Sequence, residues 1–151
     1  MKYTFLTEKF YKDYSHDKYP QMAVKESRPY AHIRVEAYDQ LFCIPLRSHI
    51  EHPHAFFTNK RNRCGIDYSK AVIINNDTYI DENTRVFLRP DEYNKLKGKD
   101  FRIKKEFLDY IELYKRAKID KTVDHREDIL AFSTLQYFEE YIYSDTNKDT
   151  N

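Results

Sequence analysis

Glycine is almost missing from this chain, with two residues in 151. A loop that folds its backbone amides around a phosphate needs several glycines. The nucleotide-binding classes built on such loops are therefore excluded. Neither a G-x-S-x-G elbow nor an H-E-x-x-H helix occurs, so the familiar hydrolase signatures are absent as well. Tryptophan is lacking. The two cysteines, Cys43 and Cys64, share no CxxC or other metal-type spacing, and Cys43 lies inside an apolar run as a small core residue would. No apolar run approaches the length of a membrane span, and Met1-Lys2-Tyr3 leads into mixed polar residues rather than a secretory apolar segment. These absences give the expectation of a reduced, cytoplasmic protein with no membrane contact.

What is present suits one packed domain. A chain of this length buries about two thirds of its unfolded surface. Hydrophobic residues make up 40%, enough for a core, while a mean hydropathy of -0.87 leaves the remainder strongly polar. Tyrosine is abundant, at 14 residues, and its hydroxyl suits either a core edge or a wet surface that meets a partner. The net charge of +1 conceals an asymmetry. Residues 23–70 hold eight bases, five acids and four of the six histidines, whereas residues 127–151 hold six acids and one base. A basic centre points to an anionic partner, most simply a phosphate backbone, with an ordinary solvated surface as the plain alternative.

The pattern along the chain predicts strands first and helices last. Lys2 to Leu6 reads as a short strand, and Thr7 as the N-cap of a brief helix through Tyr14. Residues 15–29 read as a loop, and Pro29 keeps Arg28 extended at a strand entrance. Tyr30 to Ala37 alternates, with Ala31, Ile33, Val35 and Ala37 on one face and His32, Arg34 and Glu36 on the other. After a turn at Tyr38-Asp39-Gln40, Leu41 to Leu46 is a buried strand with Pro45 marking a bulge or edge. This hairpin brings Arg28 and Arg47-Ser48 to one end. His49 to Ser69 has no period and is expected to be a long loop. Ala71 to Asn75 and Thr84 to Leu88 read as further strands, and Pro90 opens a short helix. Two longer helices follow. The first carries Phe107, Tyr110, Ile111 and Tyr114 on its apolar face, and the second spans about Asp124 to Tyr143. The expectation is an α+β fold in one domain over residues 1–143, with 144–151 as a disordered tail.

Chemistry concentrates between residues 28 and 70. Cleavage of an RNA phosphodiester without metal needs a base for the 2′-hydroxyl, an acid for the 5′-oxygen and cations for the phosphorane. The planar donors of Arg28 and Arg47 fit the last role, with Ser48 as a hydrogen-bonding group. Arginine does not deprotonate, so proton transfer would fall to His49 or His52, or to the substrate and water. His49, His52 and His54 supply at most three ligands in a loop, so no metal site is expected. Lys60, Arg61 and Arg63, followed by Tyr68 and Lys70, interleave bases with a ring in the manner of a single-stranded RNA surface.

The stretch from Arg28 to Ile74 resembles the toxins of type III toxin–antitoxin systems, the ToxN/AbiQ-like endoribonucleases and their CptN and TenpN branches. The pieces that carry the likeness are Arg28-Pro29-Tyr30, Ile44-Pro45-Leu46-Arg47-Ser48, His52, the run from Gly65 to Ile74, and Ser133-Thr134-Leu135-Gln136-Tyr137-Phe138. The resemblance implies a twisted, barrel-like antiparallel sheet of the Kid/MazF, SH3-like kind with flanking helices. It implies a cofactor-free, metal-independent ribonuclease that leaves a 2′,3′-cyclic phosphate. Its partners would be cellular RNA and a small repeat-derived RNA antitoxin, bound in a closed toxin–RNA hetero-oligomer, with no role for DNA. The family's pattern has a lysine where Arg28 stands and a Thr-Ser pair where Arg47-Ser48 stand. Ser48 matches directly and the two arginines depart from the pattern. Tyr30 joins Arg28, Arg47, Ser48, His49 and His52 in the candidate catalytic set. A non-catalytic RNA-binding regulator is the alternative.

Overall fold

The computed structural model describes residues 1–24 and 29–143. Arg28 and the expected tail at 144–151 lie outside the described residues. Seven antiparallel strands form one sheet, covered by helices that come mainly from the C-terminal third: β1 (Tyr3–Leu6), β2 (Ala31–Ala37), β3 (Gln40–Arg47), β4 (Ala55–Asn59), β5 (Cys64–Asp67), β6 (Val72–Ile74) and β7 (Ile80–Asp81). The strands run in the order β4-β5-β3-β2-β1-β7, with β6 paired to β3 outside that path. The sheet is not closed into a barrel. The expected barrel-like closure is thereby corrected, while the α+β class with an antiparallel sheet stands.

The central hairpin explains the architecture. Tyr38 and Asp39 both have positive φ, 55° and 57°, between the paired Ala37 and Gln40. This is the two-residue loop whose twist matches the flanking strands. Tyr38 accepts the left-handed backbone because its side chain is anchored. It is 1% exposed, its hydroxyl donates to Glu112 at 3.2 Å, and Lys115 lies 4.8 Å above its ring. On its other edge β3 changes neighbours. Leu41, Phe42 and Cys43 pair with β6, whereas Leu46 and Arg47 pair with β5. Pro45, which has no N–H to donate, falls between the two pairings. One long strand thus holds the core at its start and carries Arg47 at its finish.

Two segments depart from the sequence pattern. His49 to Ser69 is not a loop throughout but contains the β4–β5 hairpin. Its register slips between Phe57 and Asn59, and Gly65 sits beneath Phe56. Thr84 to Leu88 forms no strand; it leads irregularly into α2 (Pro90–Leu96) with Phe87 80% exposed. His32, expected on the polar face, is buried there. Its Nδ1 lies 3.0 Å from the Tyr30 carbonyl, and burial pushes its pKa down to about 4.

The helices pack as their periods require. α1 (Glu8–Asp13) is capped by Thr7 as expected. α3 (Asp100–Ile119) lays Ile103, Phe107, Tyr110, Ile111 and Tyr114 into the core, and Phe107 meets Phe42 edge-on at 5.0 Å. The second long helix is broken into α4 (Arg126–Phe132), a 3₁₀ turn (Thr134–Tyr137) and α5 (Glu139–Ile142). Side chains cause the break. Ser133 is extended and its hydroxyl accepts from the Leu135 amide at 3.2 Å. Thr134 donates to the Ser69 and Ala71 carbonyls, and Gln136 covers the last carbonyls of α4. Such hydroxyls offer the backbone a local alternative to helix. Among the described residues no helix is long and apolar enough to cross a membrane.

A Cβ added at Gly65 would lie 2.0 Å from the Phe56 carbonyl oxygen and 2.8 Å from the Phe57 Cα, both backbone atoms that cannot swing away. Gly65→Ala should therefore cost about 3 kcal/mol in a urea titration. An unchanged midpoint would contradict the close pairing of β4 and β5.

Candidate functional site

The polar centre of the molecule is Asp67, at the end of β5, whose side chain is wholly buried. A carboxylate in that position must gather donors. Arg47 reaches it from the end of β3 at 2.5 Å, and His52 Nε2 lies 3.1 Å from its Oδ1. Ser69 donates to the same Oδ1 twice, from its amide at 3.0 Å and from its hydroxyl at 2.6 Å. Burial by itself would raise the Asp67 pKa. The hydrogen bonds from His52 and Ser69, with the Arg47 charge, outweigh it and hold the carboxyl below its usual range. Burial would likewise lower the Arg47 pKa, but Asp67 and Tyr30 carry it upwards. The pair is fully ionised.

His52 has its tautomer set by its surroundings. Its Nδ1 accepts the backbone N–H of His54 at 3.0 Å, which leaves the ring proton on Nε2, facing Asp67 and the Ser69 hydroxyl. Serine, histidine and aspartate are all present, yet this is not the nucleophile–base–orienter order. In that order the carboxylate holds Nδ1 and the serine faces a free Nε2. Here both Ser69 and Asp67 share Nε2. The cluster is a structural relay of hydrogen bonds rather than a hydrolase triad.

Two hollows lie on either side of this cluster. The first, a cleft of about 460 Å³, is lined by Tyr30, Arg47 and Ser48 together with Phe5, Phe87, Arg89 and Glu92. Tyr30, just before β2, lies near Arg47, whose guanidinium is 5.9 Å from the Tyr30 ring centre. Arg47 Nε is buried without a hydrogen-bond partner among the described residues. Such a group costs about 1–3 kcal/mol and is the kind of orphan that functional sites retain. Glu92 is half-buried in the first turn of α2, and burial raises its carboxyl pKa. The second hollow, about 740 Å³, is lined by His52, His54 and Ser69 with Tyr110 and residues from α3 and α4.

The expected residues therefore divide. Tyr30, Arg47 and Ser48 come together in the first cleft. His52 belongs to the second hollow, and His49, exposed with a φ of 57°, lines neither. Of the expected RNA surface, only Lys60 and Arg61 are exposed without a structural tie, at the tip of the β4–β5 hairpin. Arg63 straps the preceding loop through the Ile50 and His52 carbonyls, at 2.6 and 2.9 Å, and covers the Phe57 ring. Tyr68 is 3% exposed and donates to Glu106, so its ring is not offered to a base. Lys70 is bound to the Phe132 carbonyl and Gln21, and burial lowers its pKa to about 8. Sequence reasoning missed Asp67, Ser69 and Glu92 as site residues. Among the described residues no group of three or more His, Cys, Asp and Glu side chains is placed to hold a metal ion.

Compared with protein-family models, curated proteins and solved structures, the chain has no match in any of the three.

Asp67 makes a stability prediction with a definite sign. Its folded pKa is depressed below an unfolded value near 3.8, so its contribution is complete above that pH and is lost as pH falls through the folded pKa. Asp67→Asn would set an amide against Arg47 and should cost about 3 kcal/mol at pH 7. It should also remove the steepening of wild-type instability below pH 4. Thermal melts of both proteins from pH 2 to 7 check this, and parallel curves would refute it.

Proposed function

We propose that this protein is a metal-independent, sequence-selective endoribonuclease of the type III toxin–antitoxin kind. Its sheet would then be an opened relative of the Kid/MazF fold. The observation that carries the reading is the Arg47 cleft. One ion-paired guanidinium, a second arginine, two hydroxyl side chains and a titratable carboxyl share it with exposed aromatic surface. A single RNA strand asks for that combination, cations for the phosphate and rings for the bases.

In the proposed reaction the 2′-oxygen bonds to phosphorus and the bond from phosphorus to the 5′-oxygen breaks, leaving a 2′,3′-cyclic phosphate. Arg47, oriented by Asp67, and Arg89 oppose the charge of the phosphorane, and Ser48 donates to a non-bridging oxygen. Glu92 takes the 2′-hydroxyl proton, the role sought first among the histidines. Burial moves its pKa towards the range where a carboxylate is an effective base. The Tyr30 hydroxyl supplies the proton for the departing 5′-oxygen. The partners would be cellular RNA and a small repeat-derived RNA antitoxin, which closes the same cleft in a hetero-oligomer.

A non-catalytic RNA-binding regulator is favoured by one observation, that neither His49 nor His52 lines the cleft. Incubation of purified protein with RNA separates the two readings, with product ends scored for cyclic phosphate. Arg47→Ala and Glu92→Gln should each lower the cleavage rate by about 100-fold. Wild-type kcat/KM should rise with pH through the Glu92 pKa, and Glu92→Gln should flatten that limb. Wild-type protein that binds RNA without cutting it would sink the enzyme reading.

A further inference from the structure

We propose that the second hollow is a pocket for one unpaired nucleobase of the strand whose phosphate lies in the Arg47 cleft. This rests on the endoribonuclease reading and assigns the part of the substrate that the reading leaves open.

Shape and lining come first. At about 740 Å³ the hollow falls within the range of ligand pockets, and Leu113, Val123 and Phe132 give it apolar walls. Flat rings gather on one side. His54 lies 5.4 Å from Tyr110 and is stacked with His52 at 5.6 Å and 25° between planes. Burial lowers the His54 pKa, so this ring is neutral and stacks as an uncharged heterocycle. A base has the same planar form and the same need for a stacking face.

Charge decides which part of a nucleotide enters. Glu51, Asp120, Asp124 and Asp128 line the hollow against one guanidinium, that of Arg116. A phosphate is repelled there, whereas the first cleft carries Arg47 and Arg89 against Glu92 alone. The backbone is thus held on the Arg47 side and only an uncharged group goes through. Carboxylates accept hydrogen bonds and donate none when ionised, so they favour a base with an exocyclic amino group over uracil. Asp120 is already engaged by Thr122, which leaves the choice to Glu51, Asp124 and Asp128. Continuity completes the case. Arg47, which lines the first hollow, and His52, which lines the second, bind the same carboxylate, at 2.5 and 3.1 Å. One strand can therefore reach both hollows past that shared carboxylate.

The test digests a pool of short RNAs randomised in sequence and reads the cut sites. Wild type should show one position at which adenine, cytosine or guanine is preferred to uracil by at least tenfold. Val123→Trp, which fills the pocket, should bring that ratio close to one. Wild-type cleavage without such a position, or an unchanged ratio in the variant, overturns the pocket and leaves the enzyme reading standing. A wild type that cuts nothing overturns the enzyme reading instead. A second measurement needs neither cleavage nor a variant. RNA containing 5-iodocytidine, photocrosslinked to wild-type protein, should mark Tyr110, His54 or Phe132. Crosslinks confined to Tyr30 and Phe87 would refute the pocket.

Discussion

The structure turns on one buried carboxylate. Asp67 ends β5, receives Arg47 from β3, His52 from the loop before β4, and Ser69 from the turn that leads into β6. Three segments, the end of β3, the loop before β4 and the end of β5 with its following turn, therefore meet at two oxygens. Removing such a charge from water is expensive, and replacement by apolar residues is often no less stable. Stability alone is a poor reason to keep it. Geometry is a better one, because the carboxylate fixes the guanidinium at the cleft wall, and a fixed donor needs no reorganisation when charge develops nearby.

The same turn carries the constraint outward. Ser69 and Ala71 lend their carbonyls to Thr134, and Lys70 holds the Phe132 carbonyl. The C-terminal segment is thus fastened to the backbone that positions Asp67. This is why α4 stops at Phe132 rather than running on, and why the second hollow has a wall at all.

What could be read beforehand follows from where period and burial agree. β2 and β3 declare themselves through alternation and a short apolar run; the end of their hairpin gathers Tyr30, Arg47 and Ser48, while Arg28, expected beside them, lies outside the described residues. The β4–β5 hairpin was hidden for two reasons. Phe56 and Phe57 are adjacent, with a register slip just beyond them, and every residue of Cys64–Asp67 is buried, so no alternation remains. With that hairpin unseen, Asp67 looked like a loop acid and Tyr68 like a free ring. The Asp67-x-Ser69 spacing was the available signal, since a side-chain acceptor two residues before an amide marks a capped turn. Glu92 gave no site signal in sequence, because its setting depends on α2 packing beside β4, where the Thr58 hydroxyl donates to its carboxylate at 3.5 Å.

The arrangement also changes what the histidines mean. Clustered in sequence, they invite a proton-transfer role. In space His52 Nε2 faces Asp67 and Ser69 and its Nδ1 accepts from a backbone amide, so both ring nitrogens are engaged within the fold. A ring so committed holds position better than it moves protons. On the proposed reading, the cleft's proton chemistry would fall to a group whose pKa burial has raised. Glu92 meets that condition, since its nearest charged influence, Arg89, is too weak to reverse the effect of burial. In the proposed reaction, positioning and proton transfer would thus fall to different residues on different elements. Arg47 is held by a buried anion, and Glu92 is left free to change its charge.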